Sequence, residues 1–203
     1  MSLDVVTVRA NLERIRERVG PGVEILAAIK YLEAEDLPAL AEAGVTLVGE
    51  NRAQELAAKQ DAHGDLFDWD FIGALQSRKV KDVAPRARLI HTLASDSALA
   101  KLEAHSVPEV LVQVNVAGEE GKGGIAPTEL GDFIARCPVT VSGLMTMPPF
   151  VEDAEDSRTH FAGLAELAAE HGLRRLSMGT TQDYWVAAEE GATIVRLGSV
   201  LYS

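Results

Sequence analysis

Short apolar runs rich in β-branched residues alternate along nearly the whole chain with stretches of helical period. Glu24–Ile29, Val45–Gly49, Trp69–Gly73, Arg88–Thr92, Glu109–Val116, Val139–Leu144, Arg175–Met178 and Thr193–Leu197 read as eight strands. Between them, Glu33–Ala43, Asn51–His63, Ser77–Ala84, Asp96–His105, Pro127–Arg136, Glu152–Gly172 and Gln182–Glu190 are helical in period or composition. Gly44, Gly172 and Gly191 each follow a helical run, where a residue of positive φ is wanted, and Ser77 and Asp96 suit N-caps. Before the first strand, Val5, Val8, Leu12, Ile15 and Val19 recur at helical spacing, so Leu3–Val19 forms an additional amphipathic helix placed to cap the sheet.

Strands joined by helices imply right-handed crossovers and parallel pairing. Eight such units close most economically as a single (β/α)8 TIM-type barrel with an extra N-terminal helix, one domain over residues 1–203. An open doubly wound sheet is the alternative. The length lies at the lower end for a barrel, so helices and loops must be short, with little room for a substrate lid.

Composition narrows the function. Nineteen Lys and Arg stand against 31 Asp and Glu, a net charge of −12, so a phosphate backbone or an anionic membrane would be repelled over most of the surface. An anionic ligand must be held by local geometry instead, which favours a small molecule in a defined pocket. Cys137 is the only cysteine, so neither an intramolecular disulfide nor a cysteine metal cluster can form. No apolar run reaches membrane-spanning length, and the start of the chain reads as neither a signal nor a transit peptide; the expected location is cytoplasmic.

In a barrel of this kind, ligands sit at the C-terminal strand ends, and several of these are polar. Lys30 follows the apolar run Ile25–Ile29 directly. It is either a snorkelling lysine or a partly desolvated amine of lowered pKa able to form a Schiff base with an aldehyde cofactor. Gly49-Glu50-Asn51-Arg52 follows the second strand and Gln76-Ser77 the third, readable also as ordinary helix capping. Ser177-Met178-Gly179-Thr180 and Arg196-Leu197-Gly198-Ser199 put glycines, hydroxyls and an arginine at the last two strand ends, a composition suited to a phosphate.

Taken in order, Ile29-Lys30, Gly49-Glu50-Asn51-Arg52, Phe71-Ile72-Gly73-Ala74-Leu75-Gln76-Ser77, Gly143-Leu144-Met145, Ser177-Met178-Gly179 and Val195-Arg196-Leu197-Gly198 resemble the pyridoxal phosphate homeostasis protein family, from about Leu26 to Tyr202. That family shares its barrel with the N-terminal domain of alanine racemase and lacks the racemase's β-rich second domain. The resemblance implies pyridoxal 5′-phosphate (PLP) as cofactor and Lys30 as its internal-aldimine lysine. It puts Ser177, Gly179, Gly198 and Ser199 around the phosphate, Arg196 beside the ring or phosphate, and Asn51 near the ring face or phenolic oxygen. Four departures stand out: Tyr31 replaces a small hydroxyl residue, Asp70 a common histidine, Ala74 a common proline, and Thr180-Thr181 the usual Met-Ser.

The expected function is binding of PLP in intracellular B6 homeostasis, without catalysis, in a monomer. Apo PLP enzymes are candidate recipients of the cofactor. The alternative is a weak amino-acid racemase, which needs a second base opposite Lys30. Only Tyr31, Tyr184 and Tyr202 could supply a tyrosine, and Tyr31, next to Lys30 on a strand, should point to the opposite side. A degenerate scaffold without ligand is a third reading, disfavoured by the intact lysine. No metal is expected: His63, His91, His105, His160 and His171 lack paired ligand spacing and read as surface or helix-end residues. Trp69 and Phe71 read as core, and Glu152, Asp153, Glu155 and Asp156 as a solvated helix start.

Overall fold

The computed structural model describes residues 3–105, 107–119 and 121–203. Its centre is a closed parallel barrel in which eight strands pair in sequence order and the last returns to the first. These are β1 (Glu24–Ala28), β2 (Leu47–Glu50), β3 (Asp68–Phe71), β4 (Leu89–Leu93), β5 (Glu109–Gln113), β6 (Val141–Met145), β7 (Arg175–Ser177) and β8 (Ile194–Leu197). The open-sheet alternative is excluded by the β1–β8 ladder, which runs from Glu24↔Ile194 to Ala27↔Leu197.

Helices α1 (Val5–Val19), α2 (Leu37–Glu42), α3 (Ala53–His63), α4 (Val80–Val83), α5 (Asp96–Leu102), α6 (Leu130–Ala135), α7 (Arg158–Glu170), α8 (Tyr184–Glu189) and α9 (Ser199–Tyr202) surround it. Four of the crossovers open with a short 3-10 turn before the α-helix, as at Ala34–Asp36 and Ala154–Ser157. The helix stops fall where expected: Gly44, Gly172 and Gly191 have φ of 95°, 66° and 92°. The starts differ. Ser95, not Asp96, caps α5 by accepting from the Ala98 N–H, and Ser77 opens a 3-10 turn without a side-chain cap bond.

The N-terminal helix does not lie across a barrel end. It joins the outer ring, packing against α2, α8 and α9, with Val8, Leu12 and Ile15 buried. Side chains lock it there: Arg9 and Arg16 donate to the Glu42 and Gly44 carbonyls at the end of α2, and Asn11 donates to the carbonyls of Leu201 and Ser203. Cations at a helix C-terminus also meet the favourable end of its dipole.

Strand alternation sorts the apolar residues into two cores. Ala27, Val48, Ile90, Val110, Val112, Val195 and Leu197 face the helices in the large outer core. Leu26, Leu47, Leu89, Leu111, Met145 and Ile194, of the opposite parity, form a small cluster inside the barrel. Trp69 and Phe71 are buried as core, as expected. Asp70, His91, Ser177 and Arg196 share the inward parity, so the barrel interior is part apolar and part polar.

Candidate functional site

Lys30 lies beyond the end of β1, in a turn at the open mouth of the barrel, and is exposed rather than partly desolvated. Strand alternation has ended there, so Tyr31 does not point away from it: the Lys30 ammonium lies 4.5 Å from the Tyr31 ring centroid. The backbone that carries Lys30 is fixed from beneath. Lys59 of α3, buried, donates to the Ile29 carbonyl at 3.0 Å and to Glu50 Oε2 at 2.7 Å, while Glu50 Oε1 accepts the Asn51 and Arg52 N–H groups. Each charge of this buried pair thus has further hydrogen-bond partners, which offset the desolvation it suffers.

Asn51 follows β2 beside this anchor. Its side-chain Oδ1 is buried and has no hydrogen-bond partner in the protein. Gly73 permits this arrangement, because a Cβ there would stand 1.9 Å from the Asn51 carbonyl oxygen.

Across the mouth, the turn after β7 is closed by Asp183, which accepts from the Thr180 N–H and hydroxyl and from Ser157. The turns after β7 and β8 touch through the Gly198 N–H and Thr181 Oγ1. A Cβ at Gly198 would meet nothing within 4 Å, so open space adjoins this backbone, and Ser199 is exposed beside it. Gly179 is buried at φ 88°, pressed against Ala187 of α8. Topology thus brings Lys30, Asn51, Gly198 and Ser199 to the ends of three adjacent strands.

Ser177 and Arg196 sit lower, inside the barrel, and belong to a polar column that sequence reading missed. Arg196 Nη1 donates to Ser177 Oγ at 2.5 Å and Nη2 to the Thr146 carbonyl at 2.9 Å. Ser177 Oγ lies 2.8 Å from His91 Nδ1, and His91 Nε2 lies 3.0 Å from Asp70 Oδ2. Arg88 holds Asp70 bidentately at 2.9 and 2.8 Å and reaches Glu24 at 2.7 Å at the solvent-open lower end. His91 is fully buried, correcting its reading as a surface or helix-end residue. Its place two residues after Leu89 in a strand was the available signal, since that parity points inward. The other four histidines do lie on helices or just past their ends.

Burial pushes the His91 imidazole below its ordinary value, with Arg196 and Arg88 adding to the effect against Asp70. Burial works to raise the Asp70 carboxyl, but hydrogen bonds from Arg88 and His91 outweigh it and hold it below the usual range. Burial also brings the Arg196 guanidinium down to about 10.

Beside the β7 turn, a cavity of about 470 Å³ is lined by Gln113, Lys122, Met147, Phe150 and Gln182. Met147 and Phe150 are exposed there, whereas Met145 fills the barrel interior. Among the described residues no group of three His, Cys, Asp or Glu is placed to hold a metal, and no helix is long and apolar enough to cross a membrane.

The barrel is that of the alanine-racemase class: the family model described as alanine racemase, N-terminal domain, matches residues 3–203. A pyridoxal phosphate homeostasis protein of Aquifex aeolicus is 41% identical over 213 residues, covering 94% of this chain and 93% of the relative. One from Vibrio cholerae is 33% identical, with 96% and 92% covered. PipY of Synechococcus elongatus, solved without and with PLP bound, superposes with TM-scores of 0.86 and 0.84 at 29% identity, covering 97% of this chain and all of that one. Alanine racemase from Corynebacterium glutamicum, 14% identical, shares the fold with a TM-score of 0.78, over 99% of this chain and 62% of its own. The chain belongs to the pyridoxal phosphate homeostasis protein family.

Proposed function

We propose that this protein binds PLP at the C-terminal mouth of its barrel, holds it as an internal aldimine on Lys30, and serves cytoplasmic B6 homeostasis without being an enzyme. The observation that carries this reading is an exposed amine just past β1, next to a strand end whose Asn51 amide has a buried, unpartnered oxygen. The two can serve an aldehyde and an adjacent polar ring substituent. The exposed Ser199 hydroxyl and the backbone at Gly198 adjoin open space suited to a phosphate, and the buried Gly179 holds the neighbouring turn. The name of the Aquifex relative and the PLP-bound PipY support the same assignment.

When bound, PLP supplies an electron sink that could serve racemisation if a second base faced the substrate. The tyrosines do not offer one. Tyr184 is buried, Tyr202 donates its hydroxyl to the Ala28 carbonyl and is raised well above its ordinary value by burial, and Tyr31 lies against Lys30 itself. A proton donor on the same side as the lysine cannot serve the opposite face. Apo PLP enzymes are the recipients this reading suggests.

The purified protein is expected to show a visible imine absorbance band that borohydride fixes, that Lys30→Ala lacks, and that is accompanied by no alanine racemisation. A colourless wild type after incubation with PLP would sink the assignment of Lys30; turnover would make the protein an enzyme.

A further inference from the structure

The column inside the barrel contains Asp70, His91 and Ser177 in hydrogen-bonded sequence, the three residue types that elsewhere activate a nucleophile. Here Ser177 is fully buried and its oxygen also receives the Arg196 guanidinium, so no substrate carbon can reach it. The line ends on an arginine, not on a reaction centre.

We propose that Asp70 and His91 are positioning residues that fix the direction of the Ser177 hydroxyl and, through it, the seat of Arg196 at the base of the ligand mouth. The part that concerns the cofactor rests on the PLP reading above.

With His91 neutral, as its full burial favours, the two ends of the column leave one arrangement of hydrogens. Arg88 can only donate, so the Asp70 carboxylate accepts from it, and the second donor to that carboxylate must be the His91 Nε2–H. A neutral imidazole protonated at Nε2 carries a bare Nδ1, which accepts the Ser177 hydroxyl hydrogen. Ser177 then has only lone pairs to offer, and these receive Arg196 Nη1. Arg196 is thereby held at Nη1 by Oγ and at Nη2 by the Thr146 carbonyl, neither of which is charged. No carboxylate among the described residues bonds to it, Asp183 acting on it only through space, so its charge is available to an electron-rich or anionic group in the mouth.

Removing the Asp70 charge removes the reason for the Nε2–H tautomer. The proton can then move to Nδ1, which turns from acceptor to donor, and the Ser177 hydrogen must swing away from His91. Arg196 now shares the Ser177 oxygen with a second donor. The effect on ligand binding is therefore transmitted, not direct.

Nitrogen NMR on cofactor-free protein reads the first link without any variant. The expected result is a neutral His91 protonated at Nε2, with Arg196 guanidinium signals resolved because its rotation is locked. In Asp70→Asn, His91 should populate the other tautomer and the Arg196 signals should broaden. An Nδ1–H tautomer in the wild type, or locked Arg196 signals unaffected in Asp70→Asn, would overturn the proposal. A third arm measures PLP affinity in a double-mutant cycle. Asp70→Asn should weaken binding roughly tenfold in the wild-type background and have little further effect in Ser177→Ala, where the link is already cut. Equal losses in both backgrounds would mean that Asp70 acts through general stability, which also overturns it. A wild type that binds no PLP while the NMR result holds would discard the PLP reading and leave the positioning of Arg196 intact.

Discussion

A fully buried histidine between a carboxylate and a serine makes the fold's stability answer to pH through one side chain. Below its ordinary value near 6.5 the unfolded chain takes up a proton on His91 that the folded interior resists. The stability associated with neutral His91 is therefore complete above about pH 6.5 and is lost as pH falls toward the lower folded-state value. Asp70 acts in the same direction further down, since its folded carboxyl lies below its ordinary 3.8. One proton sets a slope of at most about 1.4 kcal/mol per pH unit for His91. Denaturant midpoints are expected to fall between about pH 6.5 and 5 in the wild type, and more shallowly in His91→Gln. Identical slopes in the two proteins would show that His91 does not govern this window. The same residue marks the limit of sequence reading: its strand was legible, but its partners lie on β3 and β7, and no local pattern announces a contact across a barrel.

Elements were legible because their signals are local. All eight strands form where short apolar runs lie between helical stretches, and three helices stop at glycines of positive φ. Their ends shifted where tertiary bonds decide: the expected fifth strand through Val116 stops at Gln113, beyond which Asn115 and Ile125 bond across a returning loop. Lys30 and Asn51 could be placed at strand ends from sequence, but not the Lys59–Glu50 pair that joins β1, β2 and α3 beneath them. That joint is testable. Lys59→Met strands the Glu50 carboxylate in a fully buried site, a loss of about 3–5 kcal/mol. Adding Glu50→Gln should recover part of it, since the amide carries no charge to strand. Chemical denaturation of the single and double variants checks this; an additive double variant would mean that the two groups do not stabilise one another.

At the scale of the whole molecule, the question is whether the mouth faces solvent or another copy. Tyr31, Met147 and Phe150 are exposed large apolar side chains on loops at that end, while Val6 lies on α1 and Leu66 in the turn after α3. A stable dimer ordinarily buries about 800 Å² on each partner, more than three such side chains supply on their own. A net charge of −12 on each copy opposes close approach further, most strongly at low ionic strength. A monomer of 21.7 kDa is therefore the expected result of light scattering at low salt, with or without added PLP. A mass near twice that value would overturn the expectation. Phe150→Ser then locates the contact: if the dimer dissociates, copies pair through the mouth and cover the route to Lys30, whereas a persisting dimer would have to use a face remote from the site.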